Sequence, residues 1–306
     1  MRAVFVDANA ALRARAEALA PRMLPSLELA YGHVDVVADE LPALLAGAPI
    51  AIVDHTALPT DVARRCSGLT DVVFLGTGAR SYMDPEALAA IGIEVHLIKG
   101  YGDTAVAECA IGLLFAAARG FAAMDRAMRE GRWQRSEGSQ LAGKTLGLVG
   151  YGGIAVEVAR IAVGIGMRVL AWNRTPRNAP GVEFVSLERL LAESDAVSLH
   201  LLLTDDTRGF LSAGRIAAMR RGVLLVNTAR GALVDEAALV AGLGSGQIGH
   251  AGLDVFAVEP LPPGHVFASL HNVTLSAHSG FRTPEANEKL IAAAIAHCAR
   301  IVAAAA

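Results

Sequence analysis

Short apolar runs alternate with longer amphipathic segments along most of the chain. Runs of Val, Ile and Leu of strand length are separated by Ala-, Leu- and Arg-rich stretches in which apolar residues recur at helical spacing. Because the strands of a parallel sheet are buried on both faces, they read as continuous apolar runs between helices. The pattern therefore predicts an α/β fold built from βα units.

The first third of the chain is predicted to form one small sheet domain. Helices are expected between its strands, for example at Ala10–Ala20 and Pro85–Ile91. The candidate strands are Ala3–Val6, Val34–Val37, Ile50–Val53, Val72–Phe74 and Glu94–Leu97.

A long helix is predicted after a turn at residues 99–102. Asp103 or Thr104 can cap its N-terminus, and an Ala- and Leu-rich pattern continues to about Gly131. A helix this apolar packs against a large surface, so it is either a core helix of its domain or a helix between domains or subunits. The polar stretch Gln134–Gln140 then predicts a loop into the next domain.

A second βα series begins near Gly143, and its strand count is typical of a dinucleotide-binding fold. A last helix, from about Pro284 to Val302, is expected to return to the first domain. We therefore expect one domain at residues 1–99 and 282–306 and the other at residues 100–281. The candidate strands of the second series are Thr145–Val149, Arg168–Ala171, Ala196–Leu199, Val223–Val226, Ala251–Val255 and Val273–Leu275.

Composition narrows the possible partners. Apolar residues make up 53% of the chain, charged residues 19%, and the formal net charge is −3. Such a chain can bury a sizeable core and has no basic excess, so we expect no nucleic-acid partner. The most apolar long stretch, Ala105 to Ala123, contains Glu108 and Arg119. A spanning helix needs about 20 residues nearly free of charge, so we also expect no membrane segment.

Cysteine usage indicates a reducing compartment. Cys66, Cys109 and Cys298 are odd in number and widely spaced, which matches neither a disulfide framework nor zinc-ligand spacing. The N-terminal apolar run is stopped at Asp7 and is too short for a signal peptide. We therefore expect a cytoplasmic protein with free thiols and no metal ion.

A glycine-rich turn provides the main signal for a cofactor. The strand-like run Leu146–Val149 leads directly into Gly150-Tyr151-Gly152-Gly153-Ile154-Ala155 and then into a helical pattern. Gly150 permits a tight turn, and Gly152 lets the backbone approach a phosphate. The helical pattern itself is at Val156–Ala162, and its N-terminus supplies N–H groups and a partial positive charge. Gly153 and Ile154, which lead into it, are candidate cofactor-binding residues. This order predicts a dinucleotide pyrophosphate site.

The end of the next strand indicates which dinucleotide binds. NAD-specific sites usually place an acid there for the ribose 2′-hydroxyl, but this chain has Asn173, Arg174 and Thr175. Arg174 can pair with a 2′-phosphate, and the other two side chains can form hydrogen bonds with it. The sequence therefore favours NADP over NAD.

Three polar residues that follow predicted strands suggest catalysis. Arg230 follows Val223–Val226, Glu259 follows the strand that ends at Val255, and His278 follows Val273–Leu275. The carboxyl ends of parallel strands share one edge, so these side chains are expected in one cleft. An arginine can bind a carboxylate and polarise a carbonyl, while a histidine donates a proton. A carboxylate orients the imidazole and is expected to raise its pKa.

These segments, together with Leu225–Gly231 and Gly252–Phe256, carry a resemblance to a known family. Over essentially its whole length, the chain resembles the D-isomer-specific 2-hydroxyacid dehydrogenases, which include glyoxylate/hydroxypyruvate reductases and phosphoglycerate dehydrogenases. The resemblance implies a Rossmann-type coenzyme domain inserted in a flavodoxin-like substrate domain. It also implies a homodimer, built largely through the coenzyme domains.

The same resemblance implies roles for individual residues. Arg230 would bind substrate, Glu259 and His278 would form the acid/base pair, and Asp254 would face the nicotinamide carboxamide. The segment Gly76-Thr77-Gly78 matches the family's substrate loop, whose backbone N–H groups would hold the substrate carboxylate. The other cofactor-binding positions implied are Thr207, Thr228, Ala229, Arg230, His278 and Gly280.

The expected function is hydride transfer between NADP(H) or NAD(H) and a small D-2-hydroxy acid or its 2-keto acid. Reduction of glyoxylate or hydroxypyruvate is the favoured case. Arg80 lies in a lengthened loop after Gly78. It is either solvated or a contact for a second acidic group of the substrate. The alternatives are a phosphoglycerate-type dehydrogenase and a non-catalytic, nucleotide-sensing corepressor. Formate-type enzymes of this scaffold have Gln beside the histidine, so Glu259 argues against them.

Overall fold

The structure, a computed structural model, describes residues 1–175 and 177–304. It consists of two compact units, one formed by Met1–Gly102 with the chain from Arg282 onward, the other by Asp103–Phe281. Residues 305 and 306, part of the predicted segment 282–306, lie outside the described residues. Each unit contains one parallel sheet with helices between its strands, so the predicted α/β class is confirmed.

The first unit has a five-stranded sheet in the order β2-β1-β3-β4-β5. This is the flavodoxin-type order of doubly wound folds. An apolar core packs against the sheet, and the strand residues Val4, Ala51 and Val72 are fully buried in it. The strands are β1 (Arg2–Phe5), β2 (Glu28–Tyr31), β3 (Ile50–Val53), β4 (Asp71–Phe74) and β5 (Glu94–Leu97).

The second unit has a seven-stranded parallel sheet in the order β12-β11-β10-β9-β6-β7-β8. After β8 the chain crosses back to β9, which pairs with β6, so the strand order reverses between β6 and β9 as in dinucleotide-binding folds. Separate apolar cores cover the two faces. The strands are β6 (Thr145–Val149), β7 (Arg168–Trp172), β8 (Val182–Phe184), β9 (Ala196–Leu199), β10 (Val223–Asn227), β11 (Ile248–Leu253) and β12 (Val273–Leu275).

The described chain contains twelve α-helices, of which eleven lie between strands and the last, α12, follows β12. Side chains cap several of them; for example, Asn9 accepts from the backbone of α1 and Asp84 from that of α4. Helix α12 packs against α1 and β4 of the first unit. The helices are α1 (Ala10–Met23), α2 (Leu41–Leu44), α3 (Thr60–Ala63), α4 (Pro85–Ala89), α5 (Asp103–Arg119), α6 (Phe121–Arg129), α7 (Gly153–Gly164), α8 (Leu187–Glu193), α9 (Ala213–Ala217), α10 (Glu236–Ser245), α11 (Val266–Ser269) and α12 (Pro284–Ala304).

Two strand predictions are corrected, and one strand was missed. Val34–Val37 is not a strand, because only Val36 of its valines is buried and β2, at Glu28–Tyr31, pairs with β1 instead. The strand predicted at Ala251–Val255 begins earlier, at Ile248, and ends at Leu253. Strand β8 was not predicted, since it is three residues long and lies at the sheet edge beside β7.

The helix predicted from Asp103 to about Gly131 is two helices. The break is at Gly120, which has φ +65°, and the axes of α5 and α6 differ by 68°. Helix α5 packs against α7, β10 and β11 inside the second unit, so it is a core helix of its own domain. Among the described residues, no single helix is long and apolar enough to cross a membrane; only the bent pair α5 and α6, taken together, meets that test of length and composition.

Candidate active site

The carboxyl edge of the seven-stranded sheet carries most of the residues predicted for chemistry. All its strands are parallel, so the segments after β6, β7, β10, β11 and β12 emerge on the same side. They divide into a glycine-rich turn at the centre of the sheet and a polar cluster around Arg230, Glu259 and His278.

The glycine-rich turn has the geometry that its sequence predicts. Gly150 has φ +91°, and a Cβ there would lie 2.6 Å from the carbonyl oxygen of His200, so only glycine fits. Gly152 precedes helix α7, and a Cβ on it would meet nothing within 4 Å. The N-cap residue of α7 is Gly152, which forms no side-chain capping hydrogen bond, so the first N–H groups of the helix are available to an anion. Ala155, in the third glycine position, is fully buried.

The segment after β7 is held by two hydrogen bonds of the Asn173 side chain. Asn173 Oδ1 accepts from the N–H of Tyr151 at 3.2 Å, and its Nδ2 donates to the carbonyl oxygen of Thr175 at 2.9 Å. Asn173 therefore ties this loop to the glycine-rich turn. Arg174 and Thr175 are exposed beside it.

Buried Asn227 shapes the turn that presents Arg230. Asn227 Nδ2 donates to the carbonyl oxygen of Arg230 at 2.9 Å, and its Oδ1 accepts from the N–H of Ala229 at 3.0 Å. The next residue, Gly231, touches the loop after β11, since a Cβ there would lie 2.0 Å from the carbonyl carbon of Phe256. The half-buried Arg230 is thus held close to the loop that carries Glu259.

His278 and Glu259 form a hydrogen-bonded pair. His278 Nδ1 lies 2.6 Å from Glu259 Oε2, and Glu259 Oε1 accepts from the N–H of Phe256 at 2.8 Å. Both side chains are about one-third exposed, so a solute can reach the pair. Because Nδ1 is engaged by the carboxylate, Nε2 is the ring nitrogen left for proton transfer.

The charges around Glu259 keep it ionised. Burial alone would raise its pKa, but the hydrogen bonds from His278 and Phe256, with the positive charges of His278 and Arg230, lower the pKa below the ordinary 4.5. An ionised Glu259 stabilises the positive charge of a protonated imidazole. The three predicted catalytic residues therefore act on one another electrostatically.

Asp254 holds the loop that contains His278. Its carboxylate oxygens accept from the N–H groups of Ser279 and Gly280, both at 2.9 Å, and its carbonyl oxygen accepts from the N–H of His278 at 2.7 Å. His278 has φ +49°, a conformation that non-glycine residues seldom adopt. Because Asp254 is 1% exposed, these bonds hold the strained loop in a dry environment.

The residues present fit a bound dinucleotide. Thr228 Oγ1 is buried, lies at the carboxyl edge after β10, and has no partner among the described residues. A buried hydroxyl of this kind needs a hydrogen-bonding group, which a ligand at this edge can supply. Ala229 is half-buried next to it, and Gly280 is held by Asp254. The open position at Gly152 provides the space in which the backbone can approach a phosphate.

The hydroxyl of Thr207, also predicted to bind cofactor, is used within its own loop. Its Oγ1 donates to the carbonyl oxygen of Leu202 at 2.6 Å and accepts from the N–H of Thr204 at 2.7 Å. These bonds shape the loop after β9. Any contribution of Thr207 to a bound ligand is therefore through the loop's backbone.

The predicted substrate loop belongs to the first unit. Residues 76–78 follow β4, and Gly78 precedes a short 3₁₀ turn at Ala79–Ser81. Arg80, which lies in that turn, forms an ion pair with Glu86 on the exposed surface. Its charge is thus already matched by a neighbouring carboxylate.

Three polar contacts near the ends of strands and helices were not predicted from the sequence. Asp7, fully buried after β1, accepts from the N–H groups of Asp54, His55 and Thr56 and so fixes the loop after β3. Asn227 shapes the Arg230 turn, and Asp103 lies against Gly153. For Asp7 and Asn227 the available signal was a lone Asp or Asn at the end of an apolar strand, which is weak without knowledge of what the strand contacts. Asp103 was predicted only as a residue that can cap the helix that follows it.

One further cluster of carboxylates and histidine lies in the first unit. His96 Nε2 is 2.7 Å from Asp71 Oδ1, while its Nδ1 is 3.8 Å from Glu94 Oε1. The two carboxylates therefore lie beside opposite nitrogens of one ring. Ligands of a single ion must converge on one point, so this is the geometry of an imidazole between two acids.

Comparison with known proteins is consistent with this geometry. Residues 111–280 match the family described as "D-isomer specific 2-hydroxyacid dehydrogenase, NAD binding domain". The chain is 37% identical to a hydroxypyruvate reductase of Thermotoga maritima over 86% of this chain and 87% of that protein. It is 41% identical to a glyoxylate reductase of Korarchaeum cryptofilum over 65% and 63%.

A solved structure extends the similarity to nearly the full length. The TT0316 protein from Thermus thermophilus is 36% identical, with a TM-score of 0.85 over 96% of this chain and 94% of that one. The family indicated by the motifs is therefore confirmed. The protein belongs to the D-isomer-specific 2-hydroxyacid dehydrogenases, which are oxidoreductases that use a nicotinamide cofactor.

Proposed function

We propose that this protein reduces a small 2-keto acid, such as glyoxylate or hydroxypyruvate, to the D-2-hydroxy acid with NADPH. The observation that carries the proposal is the His278–Glu259 pair, with 2.6 Å between Nδ1 and Oε2, next to Arg230. A proton donor, its stabilising carboxylate and a guanidinium are what reduction of a keto acid requires.

In this proposal, Arg230 binds the substrate carboxylate and polarises the keto group. A bound reduced nicotinamide supplies the hydride that the keto carbon accepts. His278 donates its Nε2 proton to the keto oxygen, which becomes the hydroxyl of the product. Glu259, paired with Nδ1, stabilises the imidazolium before that transfer and orients the ring throughout.

The cofactor site is assigned to the glycine-rich turn and the polar ends of β7, β10 and β12. Gly150, Gly152, Gly153 and Ile154 would receive the pyrophosphate at the N-terminus of α7. Thr228, Ala229, Arg230, Asp254, His278 and Gly280 would border the nicotinamide half, and Thr207 would support the loop near it.

The preference for NADP is assigned to the segment after β7. An acid that would bind the ribose 2′-hydroxyl is missing there, and exposed Arg174 and Thr175 can bind a 2′-phosphate. Asn173 contributes by holding this segment, since both ends of its amide are engaged within the protein. NAD would bind with lower affinity.

The first unit is proposed as the substrate domain, with Gly76, Thr77 and Gly78 as the backbone site for the substrate carboxylate. A substrate with a second acidic group, such as a phosphoglycerate, would need an additional cation. The ion pair of Arg80 with Glu86 makes Arg80 a poor candidate, which favours the simple keto acids.

We also propose a homodimer in the cytoplasm. The second unit exposes large apolar side chains on consecutive elements, with Phe121 and Met128 about half exposed and Trp133 77% exposed. A second copy of the chain could cover them. The free thiols of Cys66, Cys109 and Cys298 suit a reducing compartment.

The test is oxidation of NADPH and NADH, followed by absorbance, with keto acids from glyoxylate to phenylpyruvate. We expect turnover that depends on the keto acid and is faster with NADPH, and Arg174→Ala should reduce that preference. A matched control is Arg221→Ala, an exposed arginine before the start of β10 that donates to Ser245. Turnover that is indifferent to the keto acid would contradict the proposal.

A nucleotide-sensing role is the second candidate, because the fold and the dinucleotide site can persist without turnover. It predicts tight binding of NADPH or NADH and no oxidation with any keto acid of the panel. The exposed, hydrogen-bonded His278–Glu259 pair favours catalysis.

A further inference from the structure

A carboxylate occupies the position where a Cβ atom would lie on Gly153, the first residue of α7. A Cβ on Gly153 would lie 1.9 Å from Asp103 Oδ2 and 2.7 Å from its Cγ. The adjacent Gly152 has no atom within 4 Å of its Cβ position. The carboxylate of Asp103 therefore lies directly against one side of the helix N-terminus.

Asp103 is held there by the packing of α5 against α7. It is the first residue of α5, and the two helices are in extensive contact within the second unit. Desolvation by burial and the nearby negative charge of Glu157 both raise the pKa of Asp103 above the ordinary 3.8. The carboxylate is thus in an environment that disfavours its negative charge.

Few other charges lie near this carboxylate. On α7, Glu157 forms an ion pair with Arg160 at 3.0 Å. On α5 itself, Glu108 is the next acidic residue and is exposed. Of the three strands against which α5 packs, β11 alone carries a titratable residue, His250, which is bonded to Thr274. Helix α6 contacts α5 at its opposite end, beyond Arg119.

The N-terminus of α7 is the proposed site of the dinucleotide pyrophosphate, which carries two negative charges. Helix N–H groups and the helix dipole attract that anion. A fixed carboxylate at the same terminus repels it, with an effect that depends on separation and on the local dielectric.

We propose that Asp103 sets the affinity for the nicotinamide dinucleotide by opposing its pyrophosphate at the N-terminus of α7. The inference rests on the cofactor site proposed above. Protonation of Asp103 removes the repulsion, so dinucleotide affinity increases as pH falls towards the range in which Asp103 titrates. At neutral pH the ionised carboxylate keeps the cofactor exchangeable.

The decisive variant is Asp103→Asn, which keeps the shape and removes the charge. Calorimetric titration of the full chain with NADPH, and with ADP-ribose, measures dissociation constants without turnover. ADP-ribose has the pyrophosphate but no 2′-phosphate, so its own charge is constant over the pH range used. We expect Asp103→Asn to bind both ligands about tenfold more tightly at neutral pH. The wild-type affinity for ADP-ribose should rise on acidification, whereas that of the variant should not.

Glu108→Gln is the matched control, because it removes the same charge from an exposed position on the same helix and should bind like the wild type. Equal or weaker binding by Asp103→Asn, with normal binding by the wild type, overturns this inference and leaves the proposed function intact. Failure of the wild type to bind NADPH or ADP-ribose overturns both.

A second measurement tests the contact itself. Gly153→Ala should lower the melting temperature of the wild-type chain, since the new methyl group meets the Asp103 carboxylate. In an Asp103→Ser background, Gly153→Ala should lower the melting temperature much less. An equal decrease in melting temperature in both backgrounds overturns the placement of Asp103 against α7.

Discussion

Replacing Asp254 with Asn tests how His278, the proposed proton donor, is positioned. In the wild type, two carboxylate oxygens accept from two backbone N–H groups, those of Ser279 and Gly280, at 2.9 Å each. An Asn side chain has one acceptor oxygen, so one N–H loses its partner and faces an NH₂ group instead. The residue is 1% exposed, and water cannot replace the lost bond.

The magnitude follows from those two bonds. A hydrogen bond to a charged group contributes about 1.5–3 kcal/mol, and a buried N–H left without a partner costs about 1–3 kcal/mol. We therefore expect Asp254→Asn to lower the free energy of unfolding by about 2–4 kcal/mol. Because the loop also holds His278 at φ +49°, its relaxation should reduce kcat by about 10- to 100-fold.

The assays are urea unfolding and steady-state keto-acid reduction. Asp235→Asn is the control, since Asp235 is the exposed N-cap of α10 and its Oδ1 accepts a hydrogen bond from the N–H of Ala238 at 3.0 Å. Asn caps helices about as well as Asp, so this variant should change stability by less than about 1 kcal/mol and leave kcat unchanged. Wild-type stability and kcat in Asp254→Asn would refute the positioning role.

Three further substitutions test the remaining parts of the site, one of them with a matched control. Arg230→Ala should lower kcat/KM for keto acids by about 100-fold or more, through loss of a charge-assisted contact, while calorimetry shows that NADPH still binds. Glu259→Gln should lower kcat for keto-acid reduction, because the His278 ring loses the carboxylate that orients it. Folding lowers the pKa of Glu259 below its ordinary value of 4.5, so the ionised carboxylate stabilises the fold above that pH. This contribution is lost as pH falls through the folded-state pKa. The difference in the free energy of unfolding between wild type and Glu259→Gln, measured in urea, should therefore shrink below about pH 4.5. Gly231→Ala should lower the melting temperature and kcat together, since its methyl group would overlap the backbone of Phe256, whereas Gly244→Ala, an open helical position on α10, should raise or preserve stability. An active, stable Gly231→Ala would contradict the close approach of the two loops.

Local signals were sufficient for much of the fold and for the residue types of the site. Strands such as Ile50–Val53 and Thr145–Val149 were predicted because strands buried on both faces are continuous apolar runs. The glycine-rich turn was recognisable because its conformation depends on residues adjacent in sequence, above all Gly150 with φ +91°.

Errors arose where the outcome depended on distant residues. Val34–Val37 has the composition of a strand, yet β1 pairs with Glu28–Tyr31. Helical periodicity continues past Gly120, but there the chain adopts φ +65° and packs close to Ser136. Local propensity was outweighed by pairing and packing in both cases.

The sequence by itself determined the α/β class, the family, the nicotinamide cofactor and the three candidate catalytic residues, because these depend on composition, periodicity and short motifs. Only the tertiary structure decided which partners those residues have. Glu259 meets the Nδ1 atom of His278, Asp254 holds the histidine loop, and Asp103 lies against Gly153 from fifty positions away. Such contacts are formed by the packing of separate elements, and no local pattern specifies which side chains packing brings within hydrogen-bond distance.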